Sequence, residues 1–245
     1  MVSTKKDPVL AVLSLSGGND FMNTVIPHAN PLYRDYRPTL AVAEDQLLPI
    51  NDTLSFHPAM AALKKYWDEG KLAIILGVGY PHPSLSHFRS MDIWATCEPD
   101  DLGLVGWLGH VIQEIDPKAD NVLTGVNFGR GLPRSMAKDG VPVASVGDLS
   151  SYGLLTDIEE TSQRDQALDL FGRMYSPVLG RGMVSDYIRR TGIEAMAGAD
   201  ILATAPGKYS STIEYRDSAI GGYLKDMVQV HNAGFGSRVL FTTAP

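Results

Sequence analysis

The stretch VLAVLSLSGGND at residues 9–20 constrains the chain more than any other. Pro8 precedes a near-continuous apolar run, residues 9–15, which is too short to carry a helical period and predicts a strand buried on both faces. Ser16-Gly17-Gly18-Asn19-Asp20 then breaks the run. Paired glycines allow a sharp turn that delivers Asn19 and Asp20 just beyond the strand's carboxyl end. In an open α/β sheet that edge is where ligands bind. A carboxylate there suits a hard divalent cation, and the glycine-rich backbone equally offers N–H groups to an anion. The plainer reading makes Asp20 an N-cap for residues 21–28.

Downstream, Asn30-Pro31 and Arg37-Pro38 confine residues 32–37 to a short helix or turn, and residues 40–48 have room for a brief strand. Apolar residues at Ala59, Ala62, Leu63, Tyr66 and Trp67 have the spacing of an amphipathic helix, with Gly70 as its stop. Residues 72–78, LAIILGV, predict a second buried strand. Strand, helix and strand in this order, with a connection long enough for a crossover, imply a parallel pair and an α/β layered fold.

A second breaker-rich loop, residues 79–85, follows, and Ser86-His87-Phe88 opens a helix whose apolar side includes Phe88, Met91, Trp94 and Ala95. Ser86 is thereby expected at a helix N-terminus, where unpaired N–H groups and the helix dipole favour an alkoxide, a phosphate or a sulfate. A hydroxyl so placed is a nucleophile if a metal or base activates it, and otherwise an ordinary cap. His82 and His87 have an equally plain reading as loop and surface histidines.

Composition narrows the function classes. With 245 residues, 44% of them hydrophobic, the chain supplies one sizeable core, so a single domain over residues 1–245 is expected. Its formal charge of −7 and scattered basic residues argue against a nucleic-acid surface. Cys97 alone excludes an internal disulfide and any multi-cysteine metal site. No segment reaches the length of a membrane span, and residues 1–7 lack a leader's apolar core, so a cytoplasmic location is expected, or an exported one if a leader has been removed.

Later elements read as scaffold. Residues 105–115 predict a helix ending near Asp116-Pro117, and residues 121–128, 141–146 and 238–243 predict strands. Arg130 and Arg134 follow the first of these strands, where they could touch an anionic substrate or lie in a solvated loop. Helical spacing dominates residues 157–233. His231 is expected to pack on that stripe, and Met174, Met183 and Met196 to fill the core.

SLSGGND (14–20), NTV (23–25), YRPTL (36–40), HPA (57–59), GVGYP (77–81) and SHFRSMDIW (86–94) together resemble the family called domain of unknown function 1501. The likeness is specific over residues 9–94 and collinear, though weaker, through Leu132-Pro133-Arg134 to residue 243. It implies the alkaline phosphatase and sulfatase superfamily, whose fold is a three-layer α/β/α sandwich with metals at the sheet's carboxyl edge. By that resemblance Asp20 matches the metal aspartate, Ser86 the nucleophile region and His87 a member of the same motif, with Asn19 and Asn23 as substrate contacts.

The implied activity is hydrolysis of a small anionic phosphate or sulfate ester, dependent on a divalent ion: zinc, calcium, magnesium or manganese. Metal ions would polarise the ester and lower the pKa of the attacking group. The alternative is a non-catalytic binding or assembly protein that keeps the fold and works with a protein encoded by a neighbouring gene. A metal-free serine esterase is weaker still, since no Gly-x-Ser-x-Gly elbow is present. Leu85 stands where relatives carry arginine, which removes an anion clamp. Cys97-Glu98-Pro99-Asp100-Asp101 begins like a sulfatase signature but ends in Asp101, so Cys97 reads as structural. The family continues past a strand like residues 238–243 into further Asp and His motifs, so the chain is expected to be a fragment, incomplete at its C-terminus.

Overall fold

The computed structural model describes residues 7–17, 19–149, 160–174, 198–199 and 201–244. In chain order the strands are β1 (Leu10–Leu15), β2 (Val25–Ile26), β3 (Leu48–Pro49), β4 (Ser55–Phe56), β5 (Gly125–Phe128), β6 (Val143–Val146) and β7 (Val239–Ala244). The helices that concern us are α1 (Pro31–Asp35), α2 (Ala61–Asp68), α3 (His87–Thr96), α4 (Trp107–Ile115), α5 (Thr161–Met174) and α6 (Ala219–Ala233). They fall into two compact units, Met1–Leu15 with Ser84–Pro245, and Ser16–Pro83.

The first unit is built on a four-stranded sheet of order β1-β7-β5-β6, parallel throughout. Leu10 pairs with Val239, and Gly125 lies between Val239 and Val143. Side chains alternate across a strand, so the two central strands feed two separate cores. Val126, Phe128 and Leu240 pack with Met227 and Val230 of α6. Val239 and Phe241 face the other way and pack with Leu108 and Ile112 of α4. A parallel sheet covered by helices on both faces needs apolar runs in its central strands, and that explains why GVNF and VLFTTA carry so few polar residues.

Close approach requires glycine at particular positions of this unit. A Cβ on Gly125 would stand 2.5 Å from Ile112 Cδ1, so α4 lies directly on β5. At the start of α4 the Gly106 amide donates to the Ala137 carbonyl at 2.8 Å, and a Cβ there would stand 2.2 Å from the backbone oxygens of Arg134 and Ser135. α4 ends at Asp116, whose carboxylate accepts the amides of Asp120 and Asn121 and the Thr124 hydroxyl. Burial pushes the Asp116 carboxyl up, but these three donors outweigh it and hold it below the ordinary range. The Thr124 carbonyl in turn accepts the amides of Arg238 and Val239, which registers the start of β7 beside β5.

The second unit carries a small antiparallel sheet, β2-β4-β3, in which Phe56 stands between Val25 and Leu48. Ile26 and Phe56 are its buried centre. α2 joins it through Trp67, whose ring meets Phe56 edge to face at 6.3 Å and whose Nε1 donates to the Ile50 carbonyl. α1 begins at Asn30, whose side chain accepts the Leu32 amide, with Pro31 in the first helical position.

The mixed α/β character expected of the chain is present, with a parallel sheet and helices on its faces. Several expectations are corrected. β1 is not buried on both faces: it forms an edge of the sheet among the described residues, with Leu10, Leu13 and Leu15 exposed. Residues 72–78 form no strand, and Ile75 is 81% exposed. Gly77 there takes φ +69°, a left-handed turn that interrupts a pleated run. β1 therefore finds its parallel partner in β7, more than two hundred residues along, and not in the next apolar run. The apolar side of α3 is also exposed: Phe88 is 85% and Trp94 64% accessible. On α6, Met227 and Val230 face the core while His231 is exposed, so the expected packing of His231 fails by one position on the helix wheel. Met183, Met196 and the Met174 side chain lie outside the described residues. Cys97 ends α3 in the left-handed conformation, φ +60°, and its thiol is free and exposed.

Candidate functional site

Asn19, Asp20 and Asn23 belong to the Ser16–Pro83 unit, and Ser86 and His87 to the other. Asp20 sits just ahead of a single 3-10 turn, Phe21–Asn23, but its side chain makes no capping bond there. It reaches instead to Arg37, with Arg37 Nη1 donating to Asp20 Oδ2 at 2.5 Å. That guanidinium holds the Asp20 carboxyl below the usual carboxylate range, and the nearby amides of Asn23 and Met22 act in the same direction.

The two asparagines are likewise engaged internally. Thr24 Oγ1 shares its proton between the Asp20 carbonyl at 3.0 Å and Asn19 Oδ1 at 3.3 Å. Asn23 Oδ1 accepts the Tyr33 hydroxyl at 2.7 Å, and Asn23 Nδ2 donates to the Leu40 carbonyl at 3.0 Å. The same Tyr33 oxygen accepts the Val42 amide at 3.0 Å, and Tyr33 is only 4% exposed.

Ser86 takes the position its surroundings in the sequence predict. It is the N-cap of the ten-residue helix α3, its Oγ accepts the Arg89 amide at 3.4 Å, and its own amide donates to Ser84 Oγ at 3.2 Å. The first bond is long, so the exposed hydroxyl is only loosely held. His87 follows on the first turn and is also exposed. Among the described residues no hydrogen bond joins Ser86 to His87.

Arginine does structural work around α3 that the sequence reading did not assign. Arg89 Nη2 lies 3.0 Å from the carbonyls of Glu98 and Pro99 and 2.6 Å from that of Asp101, so it gathers the loop that follows the helix. Arg134 Nη2 donates to the Gly103 carbonyl at 2.6 Å, and its Nε stands 3.3 Å from Asp92 Oδ1 on α3. Arg134 is thereby committed to scaffold. Arg130 is exposed beyond the end of β5. Its loop is pinned from below, since Asn127 Nδ2 and Ser145 Oγ both donate to the Gly131 carbonyl. The carbonyls that Arg89 gathers lie nine to twelve residues along the chain, so no local spacing announced its role. Arg37 likewise carried no local signal, being seventeen residues from Asp20.

The resemblance implies a divalent metal at Asp20. Such an ion needs several oxygen or nitrogen donors converging at short range. Among the described residues no group of three His, Cys, Asp or Glu side chains is gathered to hold one, and the Asp20 carboxylate already faces a fixed positive charge. These residues do not fit a metal centre. Comparison with family models, with curated proteins and with solved structures gave no match for the chain.

Proposed function

We propose that the chain acts on small anionic phosphate or sulfate esters and that Ser86 is its nucleophile, in an alkaline phosphatase-like α/β/α sandwich. The observation that carries this reading is the exposed, loosely bonded Ser86 hydroxyl at the head of α3. Amide N–H groups of the first turn and the helix dipole favour negative charge at that point, which suits both an anionic ester and a developing alkoxide. In the reaction the Ser86 Oγ–P or Oγ–S bond forms as the bond to the leaving oxygen breaks. The serine proton passes through solvent to the leaving oxygen, since Ser86 and His87 are both exposed and, among the described residues, no hydrogen bond joins them. Water then hydrolyses the phosphorylated or sulfated serine. The resemblance would add a divalent ion at Asp20, but the described residues do not fit one.

The test is turnover of an aryl phosphate and an aryl sulfate by the full chain, with zinc, calcium, magnesium or manganese supplied. Ser86→Ala is expected to lower turnover by at least a hundredfold, the scale on which loss of a nucleophile acts. Equal rates for Ser86→Ala and the unaltered chain would reject the assignment.

The second reading is a non-catalytic binding protein that keeps the fold. It is favoured by the exposed apolar side of α3, where Leu85, Phe88, Met91 and Trp94 lie open, and by the internal engagement of Asp20. On this reading a protein encoded by a neighbouring gene co-purifies with the chain. Ser86→Ala and Asp20→Ala leave that association intact, whereas Trp94→Glu weakens it.

A further inference from the structure

We infer that Asp20 is the fixed counter-ion of Arg37 in a network that ties residues 19–24 to residues 33–42, and not the ligand of a divalent metal. This stands apart from the Ser86 reading and goes beyond it.

Three links cross the same short gap in sequence. Asp20 Oδ2 meets Arg37 Nη1 at 2.5 Å, Asn23 Oδ1 accepts from Tyr33, and Asn23 Nδ2 donates to Leu40. Tyr33 Oη then accepts the Val42 amide, which extends the tie to the end of that segment. The backbone repeats the pattern locally, with the Asp20 carbonyl accepting both the Asn23 amide and the Thr24 hydroxyl. Side chains that a ligand site would have to leave open are therefore spent on internal bonds.

Charge points the same way. A guanidinium at hydrogen-bond distance from Oδ2 places a permanent positive charge beside the carboxylate, which opposes a cation there. A divalent ion there would have to displace Arg37 and strip its own water without gaining the further donors that make such exchange favourable. Arg37 and Asp20 are both only partly exposed, at 25% and 39% of their side-chain surface, so bulk water screens the pair incompletely.

The test uses the full chain and the variants Asp20→Asn, Arg37→Gln and the double variant. Each single substitution is expected to lower the thermal midpoint, and the double variant to lie no lower than the worse single one, because both remove one interaction. Fully additive losses would overturn the inference. A second measurement does not depend on the variants folding: Mn²⁺ is titrated into the unaltered chain while the amide signals of residues 19–24 are followed by NMR. Unchanged signals at equimolar Mn²⁺ are expected, and selective broadening of those signals would overturn it. The Ser86 reading fails separately, through ester turnover that ignores Ser86→Ala, whatever Mn²⁺ does at Asp20.

Discussion

Asp226 on α6 is half buried, and its Oδ2 accepts the Leu149 amide at 3.3 Å. Burial pushes its carboxyl above the ordinary value, and neighbouring Asp148 pushes the same way against the Leu149 amide and Lys225. A carboxyl whose folded pKa is raised binds its proton more tightly in the folded chain than in the unfolded one. Its contribution to stability is complete below the unfolded value of about 4 and is lost as pH rises through the folded pKa. Asp226→Asn keeps an oxygen for the Leu149 amide and removes the charge. Thermal denaturation should show the variant more stable than the parent at pH 7, with the gap closing below about pH 4. A gap that widens toward acid would contradict this account of Asp226. At this scale the sequence was partly legible. Ser86 could be placed as a cap because a cap and its helix are adjacent in the chain. Asp20 could not be assigned its partner, because no local pattern joins it to Arg37, and Asn23 hid its bond to Tyr33 for the same reason.

Among the elements, Gly106 at the start of α4 and Gly222 within α6 stand in opposite surroundings. At Gly106 a methyl group would collide with backbone oxygens that cannot rotate away. Gly106→Ala should therefore cost at least the usual overpacking penalty, about 1–3 kcal/mol, by chemical denaturation. Gly222 lies within α6 with nothing within 4 Å of its Cβ position, so Gly222→Ala should stabilise by about 0.5–1 kcal/mol. The reverse order would mean that α4 is not seated as described. Elements with their own punctuation were legible: Asp116-Pro117 ends α4, and the apolar runs around residues 125–128 and 239–244 became the central strands. Residues 72–78 misled for a physical reason. An unbroken apolar run reports a wish for burial, but pairing is decided by neighbours distant in sequence, and Gly77 turns the backbone out of the extended region. The two-residue strands β2, β3 and β4 were too short to leave a period, so the antiparallel sheet was not foreseen beyond a brief strand near residue 48.

For the molecule as a whole, parallel strands with helices on both faces make a scaffold that many chemistries share, so function has to be argued from particular side chains. The net charge of −7 gives no long-range attraction for an anionic ester, so the proposed reading rests recognition on short-range N–H donors such as those that open α3. The central claim is that Ser86 attacks such an ester, and a covalent intermediate would record the attack. The measurement is intact-mass and peptide mass spectrometry of the chain, acid-quenched during incubation with an aryl phosphate or aryl sulfate. One phosphoryl or sulfuryl group on the peptide that contains Ser86, absent from Ser86→Ala, is the predicted result. Ester turnover with no such adduct, or an adduct mapped to another residue, would contradict it.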